Sequence, residues 1–283
     1  MGRRAVTLPV GLRRLTSRRA FRRVAALALV AAGTAGALAL RGEPSAWSPQ
    51  ATDPVAAAPA LAPPPAAAFR VGAPVPPGAG RHEARWAPVR RRVAARARPS
   101  RRAGVVARLR THTPERTTNI VLAIARTQDR RGRLWVRVRL PALPNGSTGW
   151  VPRSALGGYG TVLTRLVVDR RRLTATLFRA GRRVLKAPVG IGRRSSPTPR
   201  GEFYVRNRIT RYRSAFYGPV AFGTSARSPV LTDWPGGGFV GIHGTNRPSL
   251  IPGRVSHGCI RMRNADIRRL AREMPPGTPI TIR

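Results

Sequence analysis

The 283-residue chain has one cysteine, Cys259, which excludes any disulfide within it. Acid is also scarce: ten Asp and Glu stand against 53 Lys and Arg, and Lys186 is the only lysine. The acidic residues are scattered. No set of His, Cys, Asp and Glu has metal-ligand spacing, so no metal and no cofactor is expected. Aromatic residues are 6% of the chain and do not interleave with a basic run. No nucleic-acid motif is recognisable either, so specific nucleic-acid binding is not expected despite a formal charge of +43. The charge still favours polyanions in general.

Long apolar runs are rare as well. The one present, Val24 to Leu40, is 17 residues long and follows an Arg-dense start. Basic flank, apolar core and the small-residue site Ala37-Leu38-Ala39 make residues 1–40 a secretion signal or a membrane anchor, with the N-terminus in the cytoplasm. The protein is therefore expected to be exported, and to touch the membrane only through this segment if it stays uncleaved. Ser17-Arg18-Arg19-Ala20-Phe21 resembles a twin-arginine export motif, in a chain where Arg pairs are frequent.

Residues 41–104 read as a disordered tether. Up to about residue 80 they are mostly Ala and Pro, a composition that builds no core and favours extended polyproline conformations. At ~3.1 Å per residue, about forty such residues reach on the order of 100 Å. Residues 81–104 add an Arg-rich patch including Arg90-Arg91-Arg92. Residues 105–157 read as a small β module. Leu134, Val136, Val138 and Leu140 alternate onto one face, and Pro144-Asn145-Gly146 marks a turn. Its Trp-Val and Gly-Trp-Val pattern resembles bacterial Src-homology-3-like domains; an extra hairpin packed on the next domain is the alternative.

Residues 161–283 read as mainly β. Strands are expected at Leu166–Asp169, Leu173–Phe178, Val184–Val189, Val220–Phe222, Phe239–Ile242 and Pro279–Ile282. One helix is expected after the cysteine, with Asn264 as N-cap, Asp266 in its first turn, and Ile267, Leu270, Ala271 and Met274 on its apolar face. Pro275-Pro276-Gly277 ends it. The expected fold is a β-sandwich-like mixed sheet with one helix after Cys259.

The chemistry concentrates in Gly241-Ile242-His243-Gly244-Thr245 and Ser256-His257-Gly258-Cys259-Ile260-Arg261-Met262. Cys259 follows His243 by sixteen positions, and two of the four histidines lie in this window. A thiol attacks carbonyls as thiolate, and a neighbouring imidazole that takes its proton gives a reactive ion pair. His243 ends an apolar strand, a rigid seat for a base, whereas His257 is too close to Cys259 in sequence to face it. Gly258 permits a sharp turn, so that the amides of His257, Gly258 and Cys259 can converge on an oxyanion. No acid lies between His243 and Cys259. The group orienting His243 is then a backbone carbonyl, with Gly244 nearest. Tyr217 and Trp234 either line the groove or belong to the core, and Gly236-Gly237-Gly238 forms either a hinge or a plain loop.

These segments resemble the catalytic signature of the L,D-transpeptidase (YkuD-like) family. Gly190-Ile191-Gly192 and Thr198-Pro199-Arg200-Gly201-Glu202-Phe203 add to the likeness, which covers roughly residues 161–283. The resemblance implies a cysteine acyltransferase acting on peptidoglycan stem peptides in the cell wall or periplasmic space. Cys259 would be the nucleophile, His243 the base and Gly244 the orienting carbonyl. Ser256, Arg261, Tyr217 and Trp234 would meet the substrate. Arg261 stands where many members carry Asn, and either binds a substrate carboxylate or braces the loop. The resemblance also implies acylation of Cys259 by carbapenems. Transfer to an amine, transfer to water by a carboxypeptidase, and a non-enzymatic wall-binding role remain open at this point, as does binding of anionic wall polymers.

Overall fold

A computed structural model describes residues 82–210, 212, 214–231 and 238–283. The expected signal or anchor, the Ala/Pro-rich part of the tether, Trp234, Gly236 and Gly237 lie outside these residues. Among the described residues, no helix is long and apolar enough to cross a membrane.

The first seven strands are β1 (Ala84–Pro88), β2 (Val93–Arg96), β3 (Val105–Leu109), β4 (Ile120–Gln128), β5 (Leu134–Arg139), β6 (Thr148–Pro152) and β7 (Gly160–Val162). They form one antiparallel sheet in the order β3-β2-β6-β5-β4-β1-β7. The alternation read in the sequence buries Val136, Val138 and Leu140, whereas Leu134 is exposed. The Arg-rich end of the expected tether is a correction. Residues 84–88 and 93–96 are β1 and β2, and Ala87, Val89 and Ala95 lie in the module's core. Arg90, Arg91 and Arg92 are exposed on the turn between them. The ordering comes from long-range pairing, for β1 runs between β4 and β7.

The remaining elements are β8 (Thr164–Asp169), β9 (Thr174–Arg179), β10 (Arg182–Pro188), β11 (Gly190–Gly192), β12 (Gly201–Ile209), β13 (Ala221–Arg227), β14 (Phe239–His243), β15 (Gly253–Ser256), β16 (Ile260–Arg261), α1 (Asn264–Glu273) and β17 (Pro279–Ile282). Their order is β10-β9-β8-β17-β12-β13-β14-β16-β11-β15. The pairs β17/β8, β14/β16 and β11/β15 are parallel. The sheet curls, because Leu166, Val168 and Leu177 near one end share a core with Ile191, Ile242 and Ile260 near the other. Ile267 and Leu270 of the helix, with Met274 at its C-cap, close that core. The mainly β, mixed-sheet expectation with one helix after Cys259 therefore holds. The expected cap does not: the N-cap is Arg263, and Asn264 is the first helical residue. Its Oδ1 instead accepts the Thr245 amide at 3.0 Å, which ties the helix start to the loop after His243.

The module packs on β12. Tyr204 is fully buried and donates its hydroxyl to the Ile120 carbonyl at 3.0 Å, in an apolar cluster with Ile120, Leu122 and Trp86. Burial pushes the Tyr204 pKa up, which keeps it a donor. Arg206 is 2% exposed and pairs with Glu115 of the module at 3.0 Å. Asn207 Nδ2 donates to Glu115 Oε2 at 3.1 Å and to Thr117 Oγ1 at 2.9 Å. At the turn read in the sequence, the Asn145 amide brackets the backbone of Arg227, donating at 2.7 Å and accepting at 2.9 Å.

Candidate active site

Two adjacent parallel strands build the site. In β14 and β16, Ile242 lies beside Ile260 and His243 beside Arg261. Both isoleucines are fully buried in the core. Side chains alternate along a strand, so Gly241, His243, Cys259 and Arg261 belong to the opposite face, on backbones about 4.8 Å apart. His243 and Cys259 both line two cavities, one of them about 320 Å³. Gly241 sits between them: a methyl group there would lie 3.9 Å from the Cys259 sulfur and 4.0 Å from His243.

His243 is 2% exposed, and its Nδ1 lies 2.6 Å from the Gly244 carbonyl. A carbonyl only accepts, so Nδ1 carries the proton and Nε2 is left as a base. Gly244 is glycine for a packing reason: Asn264, Gly218 and Pro219 leave no room for a Cβ. Burial lowers the His243 pKa to about 4; the Gly244 hydrogen bond opposes this and Arg261 adds to it. Burial also pushes the Cys259 thiol up, against the Gly241 amide, which donates to Sγ at 3.3 Å, and against Arg261. Burial thus works against both charges of the expected ion pair.

This has a measurable sign. The acid limb of thiol acylation should fall near pH 4, and a limb between pH 6 and 7 would show His243 to be solvated. Stability follows the same group. The unfolded imidazole takes up its proton near 6.5 and the folded one near 4, so stability is full above 6.5 and declines as pH falls towards 4, by about 3 kcal/mol.

The cysteine loop is braced from inside. Gly258 has φ 119, a backbone region that favours glycine. Ser256 Oγ accepts the Gly258 amide at 3.1 Å and donates to the Cys259 carbonyl at 2.6 Å. Ser256 is 1% exposed with its hydroxyl engaged on both sides, so it braces the loop, and it lines the cavity that Cys259 and Arg261 also line. One expectation changes. The Gly258 amide is committed to Ser256, which leaves the amides of His257 and Cys259 as oxyanion candidates. Thr198 Oγ1 donates to the Gly258 carbonyl at 2.7 Å while accepting the Gly192 amide at 2.9 Å. Ser196 Oγ donates to the His257 carbonyl at 2.8 Å. The upstream Gly-x-Gly and Thr-Pro segments are therefore props for this loop. Ser196 carried no signal in the sequence beyond its nearness to Thr198.

Tyr217 stands edge-on to the His243 ring, centroids 4.8 Å apart, and lines both cavities. Phe216, which the sequence did not single out, lies under the Arg261 guanidinium at 4.6 Å. Arg261 is 8% exposed and lines the same cavity as Phe216. Its buried Nε has no hydrogen-bond partner among the described residues. His257 is exposed at the rim. Glu115 lines the larger cavity together with Cys259 and His243, although it comes from the β3–β4 loop of the module. Nothing near Glu115 in the sequence marks it.

Residues 163–282 match the family profile of the YkuD L,D-transpeptidase catalytic domain. A protein of Bacillus licheniformis named as L,D-transpeptidase YkuD is 36% identical over 122 residues, 43% of this chain and 67% of the relative. Its Bacillus subtilis namesake is 35% identical over the same extent. Among solved structures, the catalytic domain of an E. faecium L,D-transpeptidase is 26% identical, covering 42% of this chain and 96% of its own, with a TM-score of 0.33. Bdellovibrio bacteriovorus Bd1075 is 27% identical, covering 42% of this chain and 47% of its own, with a TM-score of 0.34. The match thus spans about half the length of some of these solved chains. With this match and these relatives, and with His243 ending β14 and Cys259 directly before its partner strand β16, the chain belongs to the L,D-transpeptidase family.

Proposed function

We propose that the protein is a cysteine-dependent peptidoglycan L,D-transpeptidase. The observation that carries this reading is His243, its Nδ1 2.6 Å from the Gly244 carbonyl, at the end of the strand paired with β16, which Cys259 directly precedes. As Sγ attacks the carbonyl of the donor stem's diamino acid, its proton passes to His243 Nε2. Burial works against charge on the resting pair, and the amides of Cys259 and His257 receive the oxyanion that develops along the reaction path. His243 then returns the proton to the departing D-alanine amine. The acceptor amine attacks the thioester, gives its proton to His243 and expels the thiol. Arg261, with a buried donor unpaired among the described residues, holds a substrate carboxylate in the cavity it lines with Phe216. Tyr217 sets the imidazole plane and forms part of both walls. The reading places the enzyme outside the membrane at the wall, where its arginines favour anionic polymers.

Mass spectrometry of products from a disaccharide-tetrapeptide tests it. Cross-linked dimer with released D-alanine is the expected result. D-alanine with only trimmed monomer would make the protein an L,D-carboxypeptidase, and no turnover of any donor would overturn the enzymatic reading.

A further inference from the structure

Two cavities meet at Cys259 and His243, and their polar walls differ. One carries Arg261; the other carries Glu115. Among the described lining residues, Glu115 is the one carboxylate, in a chain with ten acidic residues and a formal charge of +43. It lies outside the matched residues 163–282, on the loop between β3 and β4.

Glu115 is built in. Arg206 Nη2 reaches Oε1 at 3.0 Å and Asn207 Nδ2 reaches Oε2 at 3.1 Å. Burial opposes its ionisation, yet Arg206 and hydrogen bonds from its own backbone, Thr113 and Asn207 hold its pKa below the ordinary value. A carboxylate accepts about four hydrogen bonds. Arg206, Asn207, Thr113 and the Glu115 backbone take up most of that capacity, and the charged side chain keeps 21% exposure. The cavity beside it is walled by Ile209, Ala221, Phe222 and Phe239, with the hydroxyl-bearing Tyr212 and Ser214. Apolar walls with one charged acceptor suit an alkyl chain ending in an ammonium group.

We propose that Glu115 is a specificity-determining residue of this enzyme, receiving the side-chain ammonium of the amine acceptor and so making the Glu115-lined cavity the acceptor's entrance. The inference rests on the transpeptidase reading above. The acceptor docks as its ammonium form, loses a proton to solvent or to His243, and then attacks the Cys259 thioester. The module thereby supplies part of the active site.

The test measures cross-linked against hydrolysed product, with a disaccharide-tetrapeptide as donor and acceptor, in the full-length protein and in Glu115→Gln and Glu115→Asp. Acyl-enzyme formation by a carbapenem is followed separately by mass spectrometry. Glu115→Gln should raise the acceptor KM about tenfold and lower the cross-linked fraction accordingly, with acyl-enzyme formation changed less than about twofold. Glu115→Asp, which keeps the charge, should recover most of that loss. An unchanged product ratio in Glu115→Gln, or equal losses in both variants, overturns the proposal. So does a parallel loss of acylation, which would mark Glu115 as a strut for Arg206. If Glu115→Gln does not fold, Glu115→Asp decides alone: an acceptor KM within about threefold of the parent supports the charge, and a tenfold rise counts against it. Failure of the parent itself to cross-link would instead sink the transpeptidase reading, and is visible before any variant is made.

Discussion

Replacing Cys259 by alanine is expected to lower turnover by about a thousandfold or more and to leave the fold intact. The chain has no second thiol, so nothing can take over the nucleophile's part. The residue is half-buried, and the hydrogen bond to its sulfur is a weak one from the Gly241 amide at 3.3 Å. Removing it should therefore cost less than about 1 kcal/mol of stability. The loop itself stays braced by Ser256, Ser196 and Thr198. The measurement is the product assay run alongside carbapenem adduct mass and a thermal melt. Loss of both dimer and adduct with an unchanged melting temperature assigns the covalent step to Cys259. Retained cross-linking in a folded Cys259→Ala protein would remove cysteine from the mechanism.

Cutting the chain at residue 161 should have the largest effect on stability. The catalytic half would then present Tyr204, now fully buried, to water, and lose the apolar cluster it forms with Ile120, Leu122 and Trp86. A buried tyrosine covers roughly 150–250 Å², and at about 25 cal/mol/Å² its exposure alone costs several kcal/mol as an upper estimate. The Tyr204–Ile120, Arg206–Glu115 and Asn207–Glu115 hydrogen bonds go with it. Against a total stability of about 5–15 kcal/mol for an ordinary domain, residues 161–283 alone should melt at least about 10 °C below residues 82–283, or show no cooperative transition. Circular dichroism of the two fragments decides this. Melting temperatures within a few degrees of each other would show the module to be an appendage.

The parts of this protein legible in the sequence are those where local pattern and chemistry coincide. Cys259, His243 and the nearby Gly244 carbonyl stand out because a lone thiol, a strand-end histidine and a loop without acids leave few arrangements. The helix was legible through Ile267, Leu270 and Met274, which repeat at helical spacing. Its cap was not, because Asn264 is drawn to the Thr245 amide, a contact that exists only in three dimensions. The strands at 84–88 and 93–96 were hidden for a related reason. Arginine on the outer positions gives them the composition of a tether, and their partners lie far along the chain at Val121 and Trp150. The burial that lowers the imidazole pKa and raises the thiol pKa, against the expected ion pair, was not legible because it is a property of the folded cavity. Glu115 is the extreme case: a surface-looking acid in a Thr- and Arg-rich loop becomes a wall of the catalytic cavity only through docking of the module.

In the parallel pairing of β14 with β16, His243 lies beside Arg261 and Cys259 directly precedes the paired strand, so the backbone ladder and not the sixteen-residue count between them sets their places. Residues 246–250 of the intervening excursion are all exposed. Lengthening, shortening or regrafting that excursion would redraw the rim of the cavity while the reacting pair stays in register. The scaffold thus separates how the bond is exchanged from what is admitted to the exchange, and the second can drift without endangering the first.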